Sequence, residues 1–238
     1  MVNKRAYTLV GRVMQVAIQS KKTRFAFTLA EILITLGIIG VVAAITIPTL
    51  FKKINDIVTV NKLKKSLAEV NQAYRLASTE TELLSEEELL KVRPIDYFNT
   101  YWRPYFKVSY ICETGVACGY SSDEPFKSKN GTTNETRMTP NANVSYVTNS
   151  GFFYLFQPRA GMHGTIAQHT ILVDLNGRKG PNTFCKDVFV FRISSDGTTF
   201  MPVGYSLSND KLYKNDTCGD YCAEKIRRAG WKIPANYP

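Results

Sequence analysis

The sequence predicts an α+β protein in which one long N-terminal helix, apolar in its first half and amphipathic in its second, packs on an antiparallel β-sheet. Three observations carry this. Residues 27–51 are almost wholly apolar and are followed by apolar residues at steps of three and four. From residue 108 onward, β-branched and aromatic runs alternate with turn residues. Asn176-Gly177 and Asp196-Gly197 stand between consecutive runs, where tight turns join antiparallel strands.

The 238 residues carry 30 Lys and Arg against 20 Asp and Glu, and 44% of them are hydrophobic, which excludes wholesale disorder. Of the net charge of +10, +6 lies in residues 1–26, where Lys4, Arg5, Arg12, Lys21, Lys22 and Arg24 face no acid. The body has no basic stripe interleaved with stacking aromatics and no zinc-finger, helix-turn-helix or RNP-like spacing, so nucleic acid is not the expected partner. A basic block followed by an apolar run is instead the flank of a membrane segment. Ile32–Phe51 is twenty uncharged residues, and at about 1.5 Å each they span about 30 Å, the thickness of a bilayer's hydrocarbon core. The positive-inside bias puts residues 1–26 in the cytoplasm and everything after Lys53 across the membrane.

A cleaved secretory signal has a similar order, but its apolar region is shorter, about 7 to 15 residues. No Ala-x-Ala-like cleavage site follows the apolar run before Lys52 and Lys53 here. The helical pattern also continues outside the membrane through Ile54, Ile57, Val58, Leu63, Leu67, Val70, Tyr74 and Ala77. A plain uncleaved anchor is the second alternative, and Glu31 is the difficulty for it. A carboxylate in an apolar helix costs about 2.5 kcal/mol or more at the bilayer centre and needs a partner. A free amino terminus four residues upstream, or on a neighbouring subunit, would supply one.

Beyond the membrane the same helix is expected to run to about Ser78, with Lys52, Lys53, Lys62, Lys64 and Lys65 solvated. Ser85-Glu-Glu-Glu88 before Leu89 has capping-box spacing and predicts a short second helix, ended by Pro94. Strands are expected over residues 108–112, 144–148, 152–157, 169–175, 188–194 and 198–203, with 121–143 as a long polar loop. The chain thus divides into a basic leader (1–26), a transmembrane segment (27–51), an amphipathic continuation (52–80) and an extracytoplasmic head (81–238).

All five cysteines lie in the part placed outside the cytoplasm, which favours disulfides. Cys112 with Cys118 and Cys218 with Cys222 are the close pairs, each able to staple a loop, and Cys185 is left over; spacing does not fix the connectivity. A zinc site is the rival reading, against which stand the absence of a CxxC pair and the separation of His163 from His169. No nucleophile elbow, Walker loop or HExxH occurs, and Glu86, Glu87 and Glu88 read as a helix N-terminal cluster, so no enzymatic activity is expected.

Ala26-Phe27-Thr28-Leu29-Ala30-Glu31 and the apolar run after it resemble the processing site of type IV pilins and of the pseudopilins of type II secretion systems. Counting Phe27 as first, Glu31 is fifth, Gly40 fourteenth and Pro48 twenty-second, positions where that family often carries Glu, Gly and Pro. Before the cut it usually carries Gly, where this chain has Ala26, and Met14 offers a second start that leaves the topology unchanged. The match covers residues 22–51. It implies cleavage between Ala26 and Phe27 by a prepilin peptidase, N-methylation of Phe27 by a methyltransferase, and assembly through Glu31, Gly40 and Pro48. The implied partners are other pilin or pseudopilin subunits, in a homo- or hetero-filament, and inner-membrane assembly machinery. The implied location is a single pass in the cytoplasmic membrane, then a filament. The loop-rich head leans toward a pseudopilin or minor subunit. A surface binding module on an anchor, with no polymer, is the competing class.

Some pseudopilins hold calcium in a loop late in the domain. By that resemblance Asp174, Asn176 and Asp187 are candidate oxygen ligands, although Arg178 stands where an EF-hand loop wants another acid or amide. The alternative for this segment is a simple hairpin turn at Asn176-Gly177. No other cofactor is expected.

Overall fold

A computed structural model describes residues 27–81, 86–131, 138–139, 141–158, 169–214, 219–235 and 237. The chain divides into two compact units, Met1–Pro48 and Thr49–Pro238. Helix α1 runs from Leu29 to Glu80 with Pro48 inside it. It is long and apolar enough to cross a membrane, its most apolar window having a mean hydropathy of 2.4 with none of it buried.

In the second unit α1 becomes the inner layer of an α+β fold. Val60, Leu63, Ser66, Val70, Ala73, Tyr74 and Ala77 are buried, a stripe at helical spacing. The stripe starts later than its sequence pattern suggests. Ile54, Ile57 and Val58 remain about half exposed, since the packed face begins only at Val60.

The six strands are β1 (Val108–Cys112), β2 (Val144–Thr148), β3 (Phe153–Gln157), β4 (Thr170–Asp174), β5 (Val188–Ile193) and β6 (Phe200–Pro202). They form one sheet in sequence order, every neighbouring pair antiparallel. Consecutive strands are neighbours throughout, although only the β2–β3 and β5–β6 connections are short and residues 113–143 intervene between β1 and β2. The Asp196-Gly197 turn joins β5 to β6. Gly197 takes φ 71°, a left-handed conformation that glycine adopts without strain, and Ser194 N–H closes the turn on the Thr199 carbonyl at 2.8 Å.

Polar contacts fix α1 on the sheet. Asn71 donates to the Phe200 carbonyl at 3.0 Å and accepts from Phe200 N–H and the Thr199 hydroxyl, both at 2.7 Å. Glu69 accepts from Tyr154 OH at 3.1 Å and from the Ser150 hydroxyl, and Tyr74 OH donates to the Gly197 carbonyl. Between these layers lies an aromatic core around Trp102, whose ring centroid is 4.8 Å from Phe156, 5.6 Å from Tyr74 and 5.8 Å from Phe200.

Trp102 comes from a segment the sequence pattern did not assign. The second helix, α2 (Glu86–Leu89), ends before Pro94, and Pro94 opens α3 (Pro94–Tyr97). The proline therefore starts a helix where it was expected to stop one, because its missing N–H and fixed φ suit a first helical position. A π turn (Phe98–Trp102) and a 3-10 turn (Arg103–Tyr105) follow, delivering Tyr97, Phe98 and Trp102 to the core. Two C-terminal helices also lacked a signal, α4 (Asn209–Lys214) and α5 (Cys222–Arg228). In α5 the buried Glu224 receives Arg227 through two bonds of 2.7 Å and Arg228 through one, while Arg228 also donates to the Gly204, Tyr205 and Leu207 carbonyls.

Candidate functional site

At the start of α1, Thr28 and Glu31 form a reciprocal cap. Thr28 N–H and Thr28 Oγ1 both donate to Glu31 Oε2 at 2.8 Å, and Glu31 N–H donates back to Thr28 Oγ1 at 3.2 Å. The first turn of a helix has unpaired N–H groups, and a carboxylate three residues in satisfies one of them. Glu31 thus has a partner inside its own chain, supplied by Thr28, whose role the sequence reading missed. The signal was present as Thr28-x-x-Glu31 ahead of an apolar run.

Phe27 is 78% exposed and Ala26 lies outside the described residues. Neither Gly37 nor Gly40 has anything within 4 Å of an added Cβ, so the described residues give no steric reason for glycine there. Each costs about 1 kcal/mol of helix propensity relative to Ala. Pro48 sits within the helix without ending it.

The second candidate is the connection between β4 and β5, residues 175–187. The Asn176-Gly177 signal does mark a turn, with Gly177 at φ 61°, but a long loop replaces the expected tight hairpin. Asp187 organises it, accepting from Thr183 N–H at 2.7 Å, Asn182 N–H at 2.9 Å and Asn176 Nδ2 at 3.1 Å. Asp174 accepts from Asn176 N–H at 3.1 Å and Tyr120 OH at 2.9 Å. The structure therefore brings Asp174, Asn176 and Asp187 into one network and adds Tyr120 and Asn182. Burial pushes both carboxyls up, Asp174 to about 8. Asn176 Oδ1 and Asn182 Oδ1 are buried acceptors with no hydrogen-bond partner. Two carboxylates and two unused amide oxygens are the donor types calcium takes, although among the described residues no group of three or more His, Cys, Asp or Glu gathers.

The cysteines pair differently from the proximity expectation in one case. Cys112 is bonded to Cys118, with Cα atoms 5.3 Å apart. Cys222 is bonded to Cys185, with Cα atoms 5.2 Å apart, so Cys185 is not the unpaired residue. The reason is tertiary: Cys222 opens α5 and faces the core, where the 175–187 loop delivers Cys185, and both are buried. Cys218 and His163 lie outside the described residues. His169 is buried with Nε2 3.0 Å from Tyr97 OH, which places it in the aromatic core. Burial holds it down at about 4.

No protein-family model, curated protein or solved structure matches the chain.

Proposed function

We propose that the chain is a pilin-like structural subunit, of a type II secretion pseudopilus or a type IV pilus, made with a leader that a prepilin peptidase removes. Its apolar helix waits in the cytoplasmic membrane with the head on the far side, and an assembly machine then stacks it into a filament. The role is structural and involves no catalysis. The carrying observation is that the apolar half of α1, from Leu29 to Phe51, contains no buried residue, while the residues from Val60 onward bury a continuous stripe. An apolar helix left bare by its own chain needs lipid first and neighbouring helices afterwards. Glycines at 37 and 40 without an intrachain reason suit close approach of a second backbone. Glu31 then pairs with the methylated amine of Phe27 on an adjacent subunit, which neutralises a buried charge and sets axial register. The test is Glu31→Ala: the variant remains in the membrane fraction after alkaline extraction and yields few or no sheared filaments. Normal filament yield contradicts the assembly role, and release from the membrane contradicts the anchoring one.

A second element of this reading is a calcium ion held by Asp174, Asn176 and Asp187. It is favoured by the buried, unpartnered Asn176 Oδ1 and Asn182 Oδ1 beside two carboxyls. Bound there, calcium would offset the charge of both carboxylates and stiffen the 175–187 loop. Titration calorimetry of the full chain in detergent, showing calcium-specific heat that Asp187→Asn removes, supports it; no heat at millimolar calcium contradicts it.

A further inference from the structure

The described residues include a groove of about 680 Å³ between α1 after Phe51, the 175–187 loop and the C-terminal tail. We propose that it binds the headgroup of phosphatidylethanolamine from the membrane that α1 spans, a proposal that rests on the membrane-spanning reading of the apolar helix.

The charges in the groove are of both signs and unspent. Lys52, Lys62, Lys186 and Asp56 line it. None of the four side chains makes a hydrogen bond or ion pair among the described residues, although Lys52 and Asp56 are spaced i,i+4 on one helix, where such pairs can form. Asp187, also in the wall, is engaged by its own loop. A phosphate monoanion suits the three ammonium groups. A purely anionic ligand would meet Asp56 as a like charge, whereas a ligand carrying its own ammonium turns that residue into a partner. Ethanolamine supplies N–H donors for the Asp56 carboxylate, and the quaternary ammonium of choline has none.

The position along α1 fits this ligand. Lys52 is the first charged residue after the apolar run, and Asp56 lies about 6 Å further along the helix axis. The headgroup layer is about 5 to 8 Å deep on each side of the hydrocarbon core. Lys62 stands higher, but helical side chains lean toward the N-terminus, here the membrane side, and a lysine stem reaches down apolar surface while keeping its charge in the polar layer. Val58, Ile233 and Pro234 provide that apolar wall, against which the glycerol and first acyl carbons would lie. The volume is within the range of small-molecule sites, about 300 to 1,000 Å³.

The experiment is native mass spectrometry of the full chain in detergent, titrated with short-chain phosphatidylethanolamine, phosphatidylcholine, phosphatidylglycerol or water-soluble glycerophosphoethanolamine. The expected result is at least about fivefold tighter retention of phosphatidylethanolamine than of the other two lipids. Asp56→Asn should abolish the preference over phosphatidylcholine, and Lys62→Gln should weaken all three lipids, with unchanged thermal unfolding of both variants as the folding control. Equal retention of all lipids by the parent chain, or a preference that survives Asp56→Asn, overturns the proposal. Glycerophosphoethanolamine binding as tightly as the lipid overturns the membrane source. A failed lipid titration of a chain that still resists alkaline extraction leaves the membrane-spanning reading standing, so the two failures are distinguishable.

Discussion

Asn71 stands against Phe200 as a neighbouring strand would, its amide donating to the Phe200 carbonyl and accepting from the Phe200 N–H. Strand β6 is an edge of the sheet, and unpaired edge groups invite pairing with other chains. One helical side chain thus both docks α1 and closes part of that edge.

Asn71→Leu keeps the size and removes all three bonds, leaving Phe200 N–H and its carbonyl without their partner. Urea unfolding of the detergent-solubilised chain should show a loss of about 2 to 4 kcal/mol. A change below about 0.5 kcal/mol would mean that the α1 stripe alone holds the layers together.

The Thr28–Glu31 cap gives Glu31 two separable duties, closing its own helix and meeting an amine on another subunit. Thr28→Ala removes most of the cap and keeps the carboxylate; Glu31→Ala removes both. Filament yield should fall far more in Glu31→Ala than in Thr28→Ala. Equal losses would show that capping was the only duty.

Burial holds His169 at about 4, against an ordinary value of 6.5. Between those values the unfolded chain takes up a proton that the native core refuses. Its contribution is therefore complete above about pH 6.5 and is lost as pH falls toward 4, by about 3 kcal/mol. Unfolding free energies of wild type and His169→Gln, measured from pH 7 to 4, should diverge in slope in that window. Parallel curves would place the imidazole in water.

Glu224 is fully buried and bonded to Arg227 and Arg228. Glu224→Gln leaves two guanidinium groups short of their anion. A stability loss of about 1.5 to 3 kcal/mol is expected by chemical denaturation, the scale for a hydrogen bond to a charged group, because both guanidinium groups stay partly in water.

Non-reducing peptide mapping should recover Cys112 linked to Cys118 and Cys185 linked to Cys222. A Cys218–Cys222 peptide as the main species would contradict the second pairing.

How legible the molecule was in its sequence depended on whether a feature was local. All six strands could be placed within two residues at either end because their β-branched and aromatic runs are bounded by turn residues. The Trp102 segment escaped because Pro94 and Pro104 interrupt any helical period, and the Cys185–Cys222 link because proximity in sequence says nothing of a loop folding back. In the loop, Asp174, Asn176 and Asp187 are candidates only through the resemblance to calcium-holding pseudopilins, whereas Tyr120 reaches Asp174 from a distant segment that no local pattern connects to it. The Thr28–Glu31 cap is local, and its Thr-x-x-Glu spacing ahead of an apolar run is a readable signal.

The most direct measurement is the mass of the protein, intact and as N-terminal peptides, isolated from its native membrane. The account predicts a mature chain that begins at N-methylated Phe27 and lacks residues 1–26. An unmodified chain that retains those residues would contradict processing along the pilin pathway and leave a membrane-anchored module that does not polymerise.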